Sequence, residues 1–535
     1  MKQILIDNIC YILDPTTRTA AVCPREDDEK YVGDIVIPAT ITHDGISYRV
    51  TNIGKKAFYM CAELNSVVIP DSVVAIGSFA FYKCSNLPSI VIPDSVTSIG
   101  EHAFDDCVKL TSMTLSDNVN CIGDFAFGGC SSLTSITIPS KLTTIGVRSF
   151  ADSCVTSITI PNSVISIEEF AFLECRNLTS ITIPSSVTDI GERAFDSCVS
   201  LESIVVESGN PIYDSRNNCN AIIETATNTL IAGCKNTIIP DGVTSIGVGA
   251  FAYCRNLVSI TIPSSVTSIG FWAFGGCDKL VSITIPDSVT TVGDCAFLMN
   301  PWRDNLPAGP IYINTVLYGY KGEIPRNTRI TVRQGTLRIC SSAFSQCKNL
   351  ISITIPDSVT SIGHSAFNDC KNLESIVVDP GNPIYDSRNN CNAIIETATN
   401  TLIVGCKSTI IPNGVACIGD TAFWGCEDLG SMTIPNTVTS IEDYAFYGTG
   451  LTIIIPDGVT SIGELAFEDC ESLMSITLPA SIEEIGWAIL GRHYDNQHTI
   501  CYVPQGMTEK FCKMGLERWR KQIVEINPQD DKDGK

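Results

Sequence analysis

The chain has 535 residues, 44% hydrophobic and 17% charged, with 35 Lys and Arg against 58 Asp and Glu and a formal charge of −23. That apolar content excludes a disordered chain. The acidic balance argues against a nucleic-acid partner, which needs a basic stripe, and against an anionic membrane surface for the same reason.

At the start, Asp7 ends the apolar run after Ile6, too short for the roughly 7–15 apolar residues of a secretory signal. No stretch reaches the about 20 apolar residues of a membrane span. The chain therefore reads as cytoplasmic, or as a mature form with a start Met added. Residues 3–23 predict a hairpin turning at Pro15-Thr16-Thr17-Arg18, and Ile35-Val36-Ile37-Pro38 resembles a first repeat strand.

From there one phrase recurs. Ile53, Ile76, Ile99, Ile122 and Ile145 are 23 residues apart, as are Cys61, Cys84, Cys107 and Cys130. The anchor returns at Ile167, Ile190, Ile246, Ile269, Val292, Ile339, Ile362, Ile418, Ile441, Ile462 and Ile485. Within one unit, Ile122, Ala126, Phe127 and Cys130 share one face of a short helical segment. Ile136 and Ile138 alternate with Ser135 and Thr137 as a half-buried strand, ended by Pro139. One strand and one short helix per coil predict an α/β solenoid: a leucine-rich-repeat, right-handed superhelix of ~23-residue coils with β-hairpin insertions and terminal caps. A lone coil buries too little apolar surface to offset its ordering entropy; stacking supplies the rest. The 25 cysteines, an odd number, fall mostly in one slot of the repeat and read as small buried apolar residues in a reducing compartment.

The steps Ile190 to Ile246 and Ile362 to Ile418 are both 56 residues, and residues 209–231, GNPIYDSRNNCNAIIETATNTLI, recur unchanged at 381–403. Each copy predicts a β-hairpin projecting from its coil, with the turn near Asn228 in the first. A divergent third copy is read around residues 314–321; the preceding stretch, 298–310, is either a binding loop or an insertion without a role. Residues 1–50 are thus an N-terminal cap and 51–490 the solenoid, with hairpin-bearing coils near 207–237, 300–330 and 379–409. Residues 491–526 form a C-terminal cap, whose helix gathers Phe511, Gly515, Leu516, Trp519 and Ile523 on one face, and 527–535 a disordered tail.

Residues 281–297, VSITIPDSVTTVGDCAF, and 351–370, ISITIPDSVTSIGHSAFNDC, resemble the BspA-type leucine-rich-repeat family, and the resemblance runs over roughly residues 35–490. It implies a non-enzymatic binding role, in some members adhesion to host matrix or other cells, often at the cell surface, with no catalytic residues and no cofactor. Ser186, Ser265 and Gly242 stand where many leucine-rich repeats place Asn.

The residues themselves assemble no catalytic set. His493, His498, Cys501 and Cys512 are the nearest approach to a zinc site, at a spacing that matches no familiar one, and read as chance placement. The oxygen-rich Asp214–Asn220 stretch lacks EF-hand spacing and reads as Asx turns. The strand residues pointing outward should line the concave face in a Ser column, with Ser135 and Ser282, and a Thr column, with Thr137 and Thr284. Such a face is either ordinary solvent-facing strand or a repetitive surface for an extended partner. Tyr213, Tyr385, Trp302, Tyr318 and Tyr320 are the candidate aromatic anchors. The first functional expectation is a binding or adhesion scaffold for a protein or glycan; the alternative is a cytoplasmic assembly scaffold without an external ligand.

Overall fold

The computed structural model describes residues 3–25, 29–427, 429–491 and 499–526. The tail 527–535 and the histidines His493 and His498 lie outside the described residues. The chain divides into two compact units, Met1–Asn305 and Leu306–Lys535.

Each unit is a β-solenoid. In a regular coil the anchor isoleucine sits in a two-residue strand that pairs in parallel with the next coil, as Ser98–Ile99 pairs with Cys121–Ile122. The S-x-T residues form a second parallel ladder, with Ser157–Thr159 beside Ser180–Ile183 and that beside Ser203–Val206. At residues 135–138 this second ladder thins to a single bridge, Ser112 to Ser135.

The A-F-x-x-C segment, expected to be helical, is a run of turns. The residue three past each anchor takes a positive φ, 56° at Phe125 and 50° at Arg148, which an α-helix does not allow. The reason is a third ladder. Phe125, Phe127 and Gly129 donate their N–H groups to Val147, Ser149 and Ala151 of the next coil, and a helix would direct those groups back into its own turn. The α/β label therefore gives way to an almost purely β solenoid.

Two columns run through the interior. Phenylalanines stack from coil to coil, with centroids 5.0 Å apart for Phe58–Phe81 and 5.5 Å for Phe172–Phe195. Most column cysteines donate their thiol to a phenylalanine carbonyl 24–26 residues back, at 3.1 Å for Cys84 to Phe58, Cys107 to Phe81, Cys175 to Phe150 and Cys470 to Phe446. Burial pushes the Cys84, Cys107 and Cys130 thiols up, so they stay protonated and able to donate. The serines that stand where many leucine-rich repeats place Asn also bond between coils: Ser186 Oγ donates to the Val164 carbonyl at 2.7 Å and Ser95 Oγ to the Val73 carbonyl at 2.6 Å.

At the first end, Gln3–Ile6, Ile9–Asp14 and Thr19–Val22 form an antiparallel meander whose last strand joins Ile46–Ile53 in parallel. Gly33–Val36 pairs with Leu64–Val68. At the far end the expected helix is broken. Only Thr508–Phe511 is α-helical, Gly515 turns the chain at φ 129°, and Ile523 belongs to the strand Ile523–Ile526. Phe511, Leu516 and Trp519 are nevertheless buried together. Glycine freedom, which no helical-face count registers, ends the helix early.

Candidate binding surfaces

The two 56-residue steps fold alike. Ala221–Glu224 pairs antiparallel with Thr229–Gly233, and that strand pairs in parallel with Ser245–Ile246. Ile394–Glu396, Thr401–Val404 and Cys417–Ile418 repeat this. The hairpins thus do not project. Each is built into the anchor-side sheet, because Leu230 and Leu402 take the anchor position opposite Ile246 and Ile418.

This placement buries two of the expected aromatic anchors. Tyr213 and Tyr385 are each 6% exposed. Their hydroxyl oxygens accept the N–H of Ile190 at 3.1 Å and of Ile362 at 3.2 Å. They fasten the insertion to the preceding coil and present no ring to a partner. Tyr318 is buried too. Tyr320 is half-buried near Phe344, with centroids 6.4 Å apart. Trp302 is half-buried against Phe297 at 4.8 Å. Tyr213 and Trp302 belong to the first unit, and Tyr318, Tyr320 and Tyr385 to the second.

The oxygen-rich loop is closed from within. Asp214 Oδ1 accepts the Arg216 backbone N–H at 3.1 Å, an Asx turn, and Arg216 Nε lies 2.9 Å from the same oxygen. Its guanidinium also reaches Asn228 Oδ1 at 2.9 Å. Among the described residues no group of three or more His, Cys, Asp or Glu is placed to hold a metal ion. The nearest arrangement to an acid–base set went unread in the sequence: Ser365 Oγ and His364 Nδ1 are 2.7 Å apart, and His364 Nε2 and Asp420 Oδ2 are 2.7 Å apart. The imidazole is 59% exposed, so water competes at both of its nitrogens, and the pair joins two coils across the second insertion.

Ser135, Thr137, Ser282 and Thr284 are all exposed, with Ser282 and Thr284 in register with Ser259 and Thr261. Valines break the hydroxyl pattern at one end of the first unit: Val36 pairs with Val68, and these and Val91 are 66%, 55% and 66% exposed.

A second surface was missed. The residues three past each anchor read Lys56, Phe79, His102, Phe125, Arg148, Phe170 and Arg193 in consecutive coils, and all are half-buried except Lys56, which is exposed. They stack on one another. His102 lies between Phe79 and Phe125, with centroids 4.6 and 4.4 Å away and nearly parallel planes. Arg148 sits 5.6 Å from the Phe125 ring and 5.0 Å from Phe170, and Arg193 is 5.1 Å from Phe170 on the other side. Aromatic pairs and cation–π contacts of this kind contribute about 0.5–1.5 kcal/mol each. His102 Nδ1 is also 2.6 Å from Asp105 Oδ2. Burial raises the Asp105 pKa, and the contact with His102 works against that shift. The signal was available as a column of alternating rings and cations, hidden because that position looked like one more variable slot.

Comparison with known proteins agrees with this architecture. No curated protein matches the chain. A leucine-rich cell surface protein of Faecalibacterium prausnitzii A2-165 is 32% identical in its crystal structure, with a TM-score of 0.52 over 74% of this chain and 97% of that one. The pneumococcal vaccine antigen PcpA is 16% identical, with a TM-score of 0.40 over 98% of this chain and 97% of its own. The family model described as the BspA type leucine rich repeat region matches in 6 copies, over residues 51–156, 148–231, 221–305, 323–400 and 400–493. With the coil phrase, its ladders and this match in agreement, the chain belongs to the BspA-type leucine-rich-repeat family.

Proposed function

We propose that the protein is a non-enzymatic scaffold that binds a protein or glycan partner along its solenoid surface, in an adhesive role like that implied by its family. The observation that carries this reading is the stacked column from Lys56 to Arg193. It holds rings and fixed cations at one spacing on an otherwise acidic chain, and such groups dominate the energetics of interfaces. The hydroxyl columns that include Ser135, Thr137, Ser282 and Thr284 would add many weak contacts to an extended partner, the regime in which multivalency sets avidity. Trp302 and Tyr320 would serve at most as accessory contacts, and Tyr213, Tyr385 and Tyr318 act through the fold.

The test is a glycan array together with a panel of matrix proteins, probed with the full chain and two variants. One carries F125A and R148A; the other carries S135A, T137A, S282A and T284A. The reading expects binding that falls at least about tenfold, or 1.4 kcal/mol, in the first variant and less in the second. Equal binding by the parent and the first variant would remove the stacked column from the account.

A further inference from the structure

We propose that the gap beside the first insertion is a binding site for the main chain of an extended peptide. In each regular coil the residues three, five and seven past the anchor donate their N–H groups to the next coil; Phe170, Phe172 and Glu174 donate to Glu192, Ala194 and Asp196. The coil that follows should do the same through Arg193, Phe195 and Ser197. None of these three N–H groups has an acceptor among the described residues. Across the gap the carbonyls of Val248 and Ala252 accept no hydrogen bond among the described residues, while Ala250 accepts the Gly233 N–H at 2.8 Å. The inserted hairpin is a wedge. It spreads the coils anchored at Ile190 and Ile246 and brings no A-F-x-x-C segment to fill the space.

A cavity of about 290 Å³ is left between donor and acceptor walls, floored by Phe195, Leu201, Ile231 and Phe251, a volume near the small end of ligand pockets. Phe195 and Ser197 are buried, and buried N–H groups are nearly always paired in native proteins. Donors on one wall and acceptors on the other match an extended peptide backbone, as in strand addition. An anion would use only the donors, and an apolar ligand neither. The groups that fill this ladder position in neighbouring coils are alanine and phenylalanine, which fits the apolar floor.

The duplicated insertion in the second unit supplies a comparison. The hairpin text is identical through Ile231 and Ile403, yet the walls differ. Val404 stands at the place of Ala232, and the cavity shrinks to about 240 Å³. There the outermost rung re-forms, Asp369 N–H donating to the Trp424 carbonyl at 3.1 Å. His364–Asp420 and Lys371–Glu427 clasp the two coils together, where the first unit has Glu192, Val248, Val199 and Arg255. One wedge is fastened and the other is open.

The site shares only Arg193 with the stacked column, through its main chain rather than its side chain, and the test leaves Arg193 in place so that the two can fail separately. The probe is a blocked, dye-labelled peptide of residues 125–131 carrying Cys130→Ser, titrated into the full chain by fluorescence anisotropy. Saturable binding with Kd below about 1 mM is expected, with slowed amide exchange at Arg193, Phe195 and Ser197. Binding should weaken at least about tenfold with Ala232→Phe, which fills the cavity, and with V199K plus R255E, which copies the clasp. Ala232→Val is the milder companion, because the second unit already carries valine there, and it should weaken binding in the same direction. A peptide N-methylated at alternate amides should not bind. Equal binding of the methylated peptide, unchanged exchange at the three amides, or full affinity in Ala232→Val and the clasp variant would each overturn the proposal.

Discussion

Tyr213→Phe removes one oxygen and nothing else from the first insertion. That oxygen accepts the Ile190 N–H at 3.1 Å, and the tyrosine ring is buried. The phenylalanine ring keeps the packing, so the cost is that of one buried donor left without an acceptor, about 1–3 kcal/mol. A local opening made easier by this much raises amide exchange by a factor of about 5–160. Hydrogen exchange at Ile190 reads this directly, and Phe104, several coils away, serves as the internal reference. Tyr385→Phe is a built-in replicate, because its hydroxyl meets the Ile362 N–H at 3.2 Å in the same way. Both variants should loosen their own amide and leave partner binding unchanged. If exchange at Ile190 and Ile362 stays at parent rates, the tyrosines are not fasteners. If binding falls while exchange is unaffected, they are contact residues after all.

Gly233→Ala places a methyl 2.2 Å from the Phe251 ring, and Gly405→Ala one 2.0 Å from Phe423. Each should cost about 1–3 kcal/mol of overpacking, seen as a lower urea midpoint for the unit concerned; parent-like midpoints would mean that the insertion yields freely. Cys107→Val keeps the slot apolar, at slightly greater bulk, but loses the thiol donor to the Phe81 carbonyl, which retains the Cys84 N–H at 3.1 Å, so a loss of about 1 kcal/mol is expected in urea unfolding, with Cys107→Ser closer to the parent. The reverse order would show that packing alone decides the column. Asp196 has its pKa raised above the ordinary 3.8, first by burial, with Arg193 opposing. A raised folded value means a contribution to stability that is full below the unfolded pKa and is lost as pH rises through the folded one. Asp196→Asn should therefore flatten that part of the decline in urea midpoint with rising pH; an unchanged slope would reject burial as the cause.

The solenoid was legible in the sequence because its constraint repeats. Nearly every coil carries an apolar anchor, an Ala-Phe pair and a small donor, and the spacing of about 23 residues makes these visible without any single strong motif. The donor requirement was only half visible. Cysteine reads as a small apolar residue, and only the replacements at its column, such as Asn300, whose Nδ2 reaches the Phe274 carbonyl at 3.4 Å, reveal that a hydrogen bond is wanted. The helical reading failed because Ile122, Ala126, Phe127 and Cys130 lie on one face of either a helix or a tight turn, and inter-coil bonding decides between them. The hairpins were located but not their role, since whether a strand projects or joins a sheet depends on the partner edge that the next coil offers. For the same reason Tyr213 and Tyr385 looked like surface rings, while the half-buried column from Phe79 to Arg193 passed as filler.

The left-handed residue three past each anchor has a wider consequence. Its backbone geometry is nearly constant, with φ 59° at Phe79, 51° at His102 and 54° at Trp272 and Leu465, although the side chains differ in every respect. Rungs made by main-chain atoms hold that geometry, so the identity of the side chain is left almost unspecified by folding. Such a position can diversify without endangering assembly. A lineage that lengthens or shuffles its coils could rewrite what the protein touches one repeat at a time, much as an antibody varies its loops over an unchanging framework.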